Sequence, residues 1–402
     1  MTTSSAPFTR ETGVTGFGGI TPSPPASPTG PPPVTGLRVR AFRVDLPRPW
    51  GPDVPANHVV LAEVTLADGR AGTGFTWTPQ VGATAVHALL TGDVRDALIG
   101  LPSHPETVWD ALWAHLHEAG GGGIPTLAMA AVDTALWDLR ARAAGHTLAD
   151  ELGRRRDSVP VYGSGVNLHY PLEELVEQAR RWAAAGYPAV KIKVGHLDPA
   201  RDVERVAAVR DIVGPDVRLM IDANQRWDLF RARRALRALA DLDPHWIEEP
   251  LPADDLTGHL RLREECGVPL AVGENIRTVH GFRDWLAAGA CDVVQPNLAR
   301  VGGITPFRRI VELARVHDIP VYPHLLPDIS GQLACALPSP AMVEEVEDAS
   351  FAALGMLREP FPVRIEGSRL RLTGTPGHGM DFDTTGLTVV ADDPGPTAGG
   401  GR

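Results

Sequence analysis

Three acids, two lysines and a histidine each close an apolar run in this sequence, and together they suggest proton-transfer chemistry beside a hard metal ion. Asp222 closes RLMID, Glu248 closes HWIE and Glu274 follows PLAVG, at nearly even spacing. Three carboxylates gathered at one place repel one another unless a cation neutralises them. All-oxygen ligation points to a hard ion, and Mg²⁺ suits a site with few protein ligands and room left for substrate. Lys191 and Lys193 alternate in AVKIKV, so on a strand both side chains share one face. Neighbouring ammonium groups depress each other's pKa, and a divalent metal depresses it further, which is how a lysine becomes a general base near neutral pH. His324 ends VYPH. Glu344, in MVEEVED, is placed to donate a hydrogen bond to a developing oxyanion if it is kept protonated. Taken singly, strand-end acids usually cap helices or pair on the surface, and a lone histidine is usually structural. The set carries the argument, not any member of it.

These residues need a scaffold that brings strand ends to one place. After Val159, short β-branched runs (VPVYG, AVKIKV, RLMID, HWIEEP, PLAVGE, CDVVQP, IPVYPH) alternate with amphipathic stretches such as LEELVEQARRWAAAG and PFRRIVELARVHD. Repeated strand–helix units fit a TIM-like barrel, whose C-terminal strand ends face a common site. No glycine-rich first turn announces a doubly wound dinucleotide fold: GSG at Gly163 is too short, and Gly302-Gly303 lacks a third glycine. Asn224, Glu249, Asn275, Asn297 and Glu345 complete the polar strand ends. Before the barrel, alternation in LRVRAFRV and HVVLAEVTL predicts antiparallel strands with a turn at Ala67-Asp68-Gly69, followed by a helix over Leu127 to Gly145. The chain therefore divides into an α+β domain over 37–158 and a barrel over 159–356. Residues 1–36 and 391–402, rich in Pro, Gly, Ser and Thr, are expected to be disordered tails.

A formal charge of −11 argues against non-specific nucleic-acid binding, yet leaves room for a small anion whose field is reversed locally by a metal. No apolar run is long enough to span a bilayer. MTTSSAPFTR lacks the apolar core of a secretory signal, and three scattered cysteines form no disulfide framework, which points to the cytoplasm.

Lys191-Ile-Lys193, Asp222-Ala-Asn224, Glu248-Glu249-Pro250, Gly273-Glu274-Asn275, Val301-Gly302-Gly303-Ile304-Thr305 and His324-Leu325 together resemble the mandelate racemase subgroup of the enolase superfamily. The order of these motifs matches from about Leu37 into the 380s. The resemblance implies a (β/α)₇β barrel under an α+β capping domain, with residues 357–390 returning to the cap. It implies Mg²⁺ held by Asp222, Glu248 and Glu274, with Lys193 as the base on one face of the α-carbon of a small-molecule carboxylate. Lys191 would sit beside the substrate carboxylate and His324 would act from the opposite face. Glu344 would hydrogen-bond the enolate oxygen, and Ser164 and Asn224 would contact substrate. Loops 47–58 and 76–84, including Trp77, would form the lid, with Trp50 and Trp227 either as pocket walls or as packing. A homo-oligomer is expected on the same ground.

One departure from the subgroup stands out. Asn297 occupies the place of the usual Asp partner of the histidine, and it orients the ring through its side-chain oxygen without supplying charge. That leans toward a dehydratase of an acid sugar or related hydroxy acid, which needs one base and one acid, over a racemase or epimerase, which needs a base on each face. Muconate-type cycloisomerases carry lysine at this position. A catalytically silent binding protein is the rival from another class.

Overall fold

The structure is a computed structural model, and it describes residues 30–51 and 53–393. The first strands follow the alternation of the sequence. β1 (Val34–Asp45) buries Leu37, Val39 and Ala41 and turns the arginines between them outward. It pairs antiparallel with β2 (Ala56–Leu66), which pairs with β3 (Ala71–Thr78). Against this sheet lies the helix Ile124–Ala144, ended by Gly145 in the left-handed conformation that residue adopts at least cost.

The barrel is assembled from β4 (Ser158–Ser164), β5 (Ala189–Lys193), β6 (Arg218–Asp222), β7 (Ile247–Glu248), β8 (Leu270–Val272) and β9 (Val293–Val294). All pair parallel in chain order, and a bridge from Val294 to Val321 adds the seventh strand position. β10 (Val343–Val346) returns to pair with β4, giving the (β/α)₇β order. Among the described residues no backbone ladder joins the seventh position to β10. The Leu325 N–H instead bonds the Glu344 carboxylate at 3.1 Å across that gap. Asp198, Asp228, Asp255 and Thr278 cap barrel helices through side-chain oxygens, as short polar residues ahead of a helix do.

The two ends of the chain depart from expectation. Val34 is buried and already in β1, so order begins inside the segment read as a tail. At the other end the strand Thr388–Asp393 runs three residues beyond the expected boundary. Residues 1–29 and 394–402 of the expected tails lie outside the described residues. The C-terminal segment also divides. β11 (Val363–Glu366) and β12 (Arg369–Leu372) form a hairpin that pairs with barrel strand β4, because Leu370 is buried among Val159, Val161, Ala334 and Val343. From Gly377 the segment returns to the cap, where the His378 N–H bonds Asp138 at 3.1 Å and β13 (Thr388–Asp393) pairs with β1.

Candidate active site

Parallel register places the site residues side by side. Lys193 is opposite Asp222, Asp222 is opposite Glu248, and Ser164 is opposite both Lys191 and Val346. Lys191 is fully buried, with Nζ 2.8 Å from Glu248 Oε2, 2.7 Å from Glu344 Oε1 and 3.8 Å from Asp222 Oδ2. Lys193 is 9% exposed and its Nζ meets Asp222 Oδ2 at 2.5 Å. Glu274 binds Arg300 at 2.7 Å and lies 3.3 Å from His324 Nε2. Its place depends on Gly273, where a Cβ would fall 2.6 Å from the Gln295 backbone nitrogen, so only glycine lets these strand ends approach.

A cavity of about 220 Å³ opens over this cluster. Lys193, His324, Glu274, Glu344, Asn224, Ser164 and Trp77 all line it. Trp50 also lines it, whereas Trp227 packs in the outer core around β5 and β6. Ser164 directs its hydroxyl to Glu344 at 2.8 Å, and the Asn224 N–H binds Asp222 at 2.8 Å. Glu249 and Asn275 pair with each other at 2.7 Å, and Glu345 turns away to the Tyr187 hydroxyl.

The protonation pattern corrects two expectations. The lysine pair does not have lowered pKa values in this arrangement. Burial acts to lower both, but Glu248 and Glu344 hold Lys191 well above its ordinary value, and Asp222 holds Lys193 above its own. Glu344 is not kept protonated. Burial acts to raise it, yet the Lys191 ammonium, with Lys193 behind it, holds it below its ordinary value. With Lys191, Ser164 and the Leu325 N–H all donating to it, Glu344 is an acceptor here. Burial pushes Glu248 up to about 7 against the pull of Lys191.

Asn297 also behaves differently. Its side-chain oxygen accepts the backbone N–H groups of Ala299 (3.1 Å) and Arg300 (3.2 Å), capping the turn Leu298–Val301. The carboxamide nitrogen is thereby turned to His324 Nδ1 at 2.9 Å, so the ring is oriented by the amide N–H₂ and not by its oxygen. Nδ1 must accept, and the ring proton sits on Nε2, facing Glu274.

Sequence reasoning missed Gln295, whose Nε2 binds Glu248 at 2.9 Å, along with Arg300 and Asn167, which holds the Lys193 N–H. Gln295 stands two residues before Asn297 on the same strand end, and the two-residue period was the signal available for it.

The donor set suits a hard cation. Asp222, Glu248, Glu274 and Glu344 face Lys191, Lys193 and Arg300, one acid more than base. Ligand atoms of Glu248, Glu274 and His324 lie within 4.8 Å of one another, whereas Asp222 is engaged by the lysines and stands outside that group.

A capped (β/α)₇β barrel with acids on successive strand ends and a Lys-x-Lys strand defines an enolase-superfamily enzyme fold. The comparisons agree: residues 174–386 match the enolase C-terminal domain-like family, and residues 52–153 match the mandelate racemase/muconate lactonizing enzyme N-terminal domain. The chain belongs to the mandelate racemase/muconate lactonizing enzyme family. It is 36% identical over 335 residues to a 3,6-anhydro-alpha-L-galactonate cycloisomerase of Streptomyces coelicolor, covering 83% of this chain and 91% of that one. It is 35% identical over 292 residues to an L-talarate/galactarate dehydratase of Salmonella typhimurium, covering 72% and 73%. Its structure matches a Streptomyces coelicolor racemase crystallised with bound magnesium at a TM-score of 0.82 and 34% identity, covering 87% and 97%. Among the described residues no helix is long and apolar enough to cross a membrane.

Proposed function

We propose that this chain is a Mg²⁺-dependent hydro-lyase that removes the α-proton and the β-oxygen of a sugar acid to give a 2-keto acid. The observation that carries the reading is the meeting of Lys193 and His324, from the second and seventh strand positions, in one cavity beside the acid set. Asp222 and Glu248, once the lysines release them, would hold the ion together with Glu274. When bound, the ion supplies positive charge where negative charge gathers as the α-proton leaves. Lys193, as the free amine, takes that proton at Nζ. The C–O bond at the β-carbon breaks and its oxygen leaves with the electron pair. His324 presents its Nε2–H to that oxygen, and the resulting enol becomes the 2-keto product.

Lys191 stands beside the reacting carboxylate end, and Ser164 supports Glu344. A racemase needs a lone pair on the second face, and the Asn297 amide leaves His324 Nε2 protonated instead. The extent of likeness to the anhydro-sugar cycloisomerase favours a variant of the same step, in which the departing β-oxygen belongs to a ring and stays attached to the product. The three cysteines are free, in keeping with a cytoplasmic enzyme, and a homo-oligomer acting on a small carboxylate, without nucleic-acid or membrane partners, completes the proposal.

The test is a screen of sugar acids with Mg²⁺ in D₂O, read by proton NMR. A 2-keto product from one of them is the expected result. α-Deuterium uptake without any ketone would overturn elimination in favour of racemisation.

A further inference from the structure

We propose that Asn167 is a positioning residue for the base: its carboxamide supplies the last rung beside Lys193 and, through Gln178, ties that strand end to the one that carries Glu344. The proposal rests on the reading of Lys193 as the group that takes the α-proton, whether or not elimination follows.

The ladder between β4 and β5 stops short of Lys193. Its last pair is Ser164 with Lys191, where β4 itself ends. On the other edge of β5 the pairing continues, with Lys193 opposite Asp222 and the Val194 N–H on the Asp222 carbonyl at 2.8 Å. Successive N–H groups on a strand point to alternate edges, so the Lys193 N–H faces the edge that β4 leaves unfilled. A buried N–H there needs a partner, and Asn167 Oδ1 accepts it at 2.9 Å. A side chain thus stands in for the missing stretch of strand, at the residue whose stem must be aimed.

Each amide behind that rung has one possible orientation. Asn167 Oδ1 takes a backbone donor, so its Nδ2 donates to Gln178 Oε1 at 2.8 Å. Gln178 Nε2 is then left to donate to Glu347 Oε2, at 2.7 Å, and an ionised carboxylate can only accept. Asn167 and Gln178 are fully buried. Glu347 follows directly on β10, three residues after Glu344, and its own N–H bonds the Ser164 carbonyl at 3.1 Å. Two bonds from Arg181, at 2.9 and 3.0 Å, hold its carboxylate. From the other side the buried Arg205 guanidinium grips the Asn167 carbonyl at 2.7 Å and the Tyr170 carbonyl at 2.9 Å. Gly165 makes room for the chain, since a Cβ there would fall 2.6 Å from the Gln178 carboxamide nitrogen. Apolar side chains would fill this space without the cost of burying two amides. Only a directed polar chain also fixes where the Lys193 backbone stands relative to β10, and Lys193 and Glu344 line the same cavity.

Lys191 and Lys193 are the only lysines in the sequence, and of the two only Lys193 reaches the cavity. Reductive methylation of the full chain with formaldehyde and cyanoborohydride, located by tandem mass spectrometry, therefore reports on the base without any substrate. Asn167→Leu, which removes the acceptor, should raise labelling of Lys193 several-fold and leave Lys191 unlabelled. Asn167→Asp keeps an oxygen for the N–H and should return labelling to the parent rate. In D₂O with Mg²⁺ and a turned-over sugar acid, α-proton removal is read as 2-keto product or α-deuterium, per Mg²⁺ site counted by calorimetry. Asn167→Leu should lower kcat by about 10–10²-fold, the cost of a misplaced reacting group, with KM and the Mg²⁺ Kd unchanged. Asn167→Asp should recover most of that loss. Labelling of both lysines together, a loss of kcat matched by a loss of Mg²⁺ sites, or a leucine variant indistinguishable from the parent overturns the proposal. Should Asn167→Leu not fold, Gln178→Met cuts the chain one link further out and should give the same pattern at smaller size; no change there overturns it equally. α-Deuterium without ketone, at a rate that depends on Asn167, would sink the elimination reading and leave this one standing. A 2-keto product formed at a rate indifferent to Asn167 would do the reverse.

Discussion

Removing the Lys193 amine separates chemistry from architecture, because this side chain reaches the cavity while the strand that carries it is buried on both faces. Lys193→Ala should lower turnover by about 10²–10⁴-fold, the range a positioned base contributes, with Mg²⁺ binding by calorimetry preserved. Full activity would exclude Lys193 as the base. Asn297→Asp tests the histidine. An aspartate keeps one oxygen on the Ala299 and Arg300 N–H groups and turns the other to His324 Nδ1, which can then carry the proton and leave Nε2 with a lone pair. This variant should take up α-deuterium from the second face where the parent does not, read by NMR in D₂O. At this scale the acids, lysines and histidine were legible in the sequence because each ends an apolar run. The direction of the Asn297 carboxamide was not, since it is set by a four-residue helical turn that no periodicity announces. Nor was the ionisation of Glu344, which depends on donors arriving from β4, β5 and the Leu325 backbone.

Between elements, the contact that matters most for the site joins the cap helix Ile124–Ala144 to the barrel helix Ile304–Val316. Asp133 accepts the Thr305 N–H at 2.9 Å and its hydroxyl at 2.6 Å, so an acid from one domain caps a helix of the other. A Cβ at Gly303 would fall 2.4 Å from the Asp133 carboxylate, which is why the turn there is glycine. Asp133→Ala should cost about 1–2 kcal/mol of stability by denaturant melts, the usual loss for a cap. Burial holds this carboxyl up at about 7, above its unfolded value. Its stabilising contribution is therefore complete below the unfolded pKa of ~3.9 and lost as pH rises through about 7. Asp133→Asn should flatten the melting temperature between about pH 4 and 7, and an unchanged slope would count against the assignment. The amphipathic stretch from Pro306 was visible in the sequence, but the acid that caps its helix lies far upstream in another domain, beyond any local signal.

For the whole molecule, the acid set links folding to the metal. Chelation with EDTA should lower the melting temperature of the Mg²⁺-loaded enzyme, since a ligand at a hundred times its Kd contributes ~2.7 kcal/mol. An identical melt with and without Mg²⁺ would argue that the lysines hold the acids permanently. The barrel and its cap were legible from the rhythm of strands and helices. The division of the C-terminal segment was not, because which sheet edge receives Leu370 or Val389 is decided by distant partners. The junction between the domains has a further consequence. Trp109 donates to the Gly302 carbonyl and Trp137 to the Thr305 hydroxyl, each at 2.9 Å, beside the Asp133 cap. With Asp133 and Trp137 of its long helix and Trp109 of the helix Pro105–Leu116 all bonded to the barrel, the cap is a fixed roof and not a door. Beside it, the backbone bond from Leu46 N–H to Pro55 at 3.0 Å closes a short span off the sheet. That span carries Trp50 and Val54 onto the cavity wall, so the roof above the reacting groups is made by a loop while the junction with the barrel is made by helices.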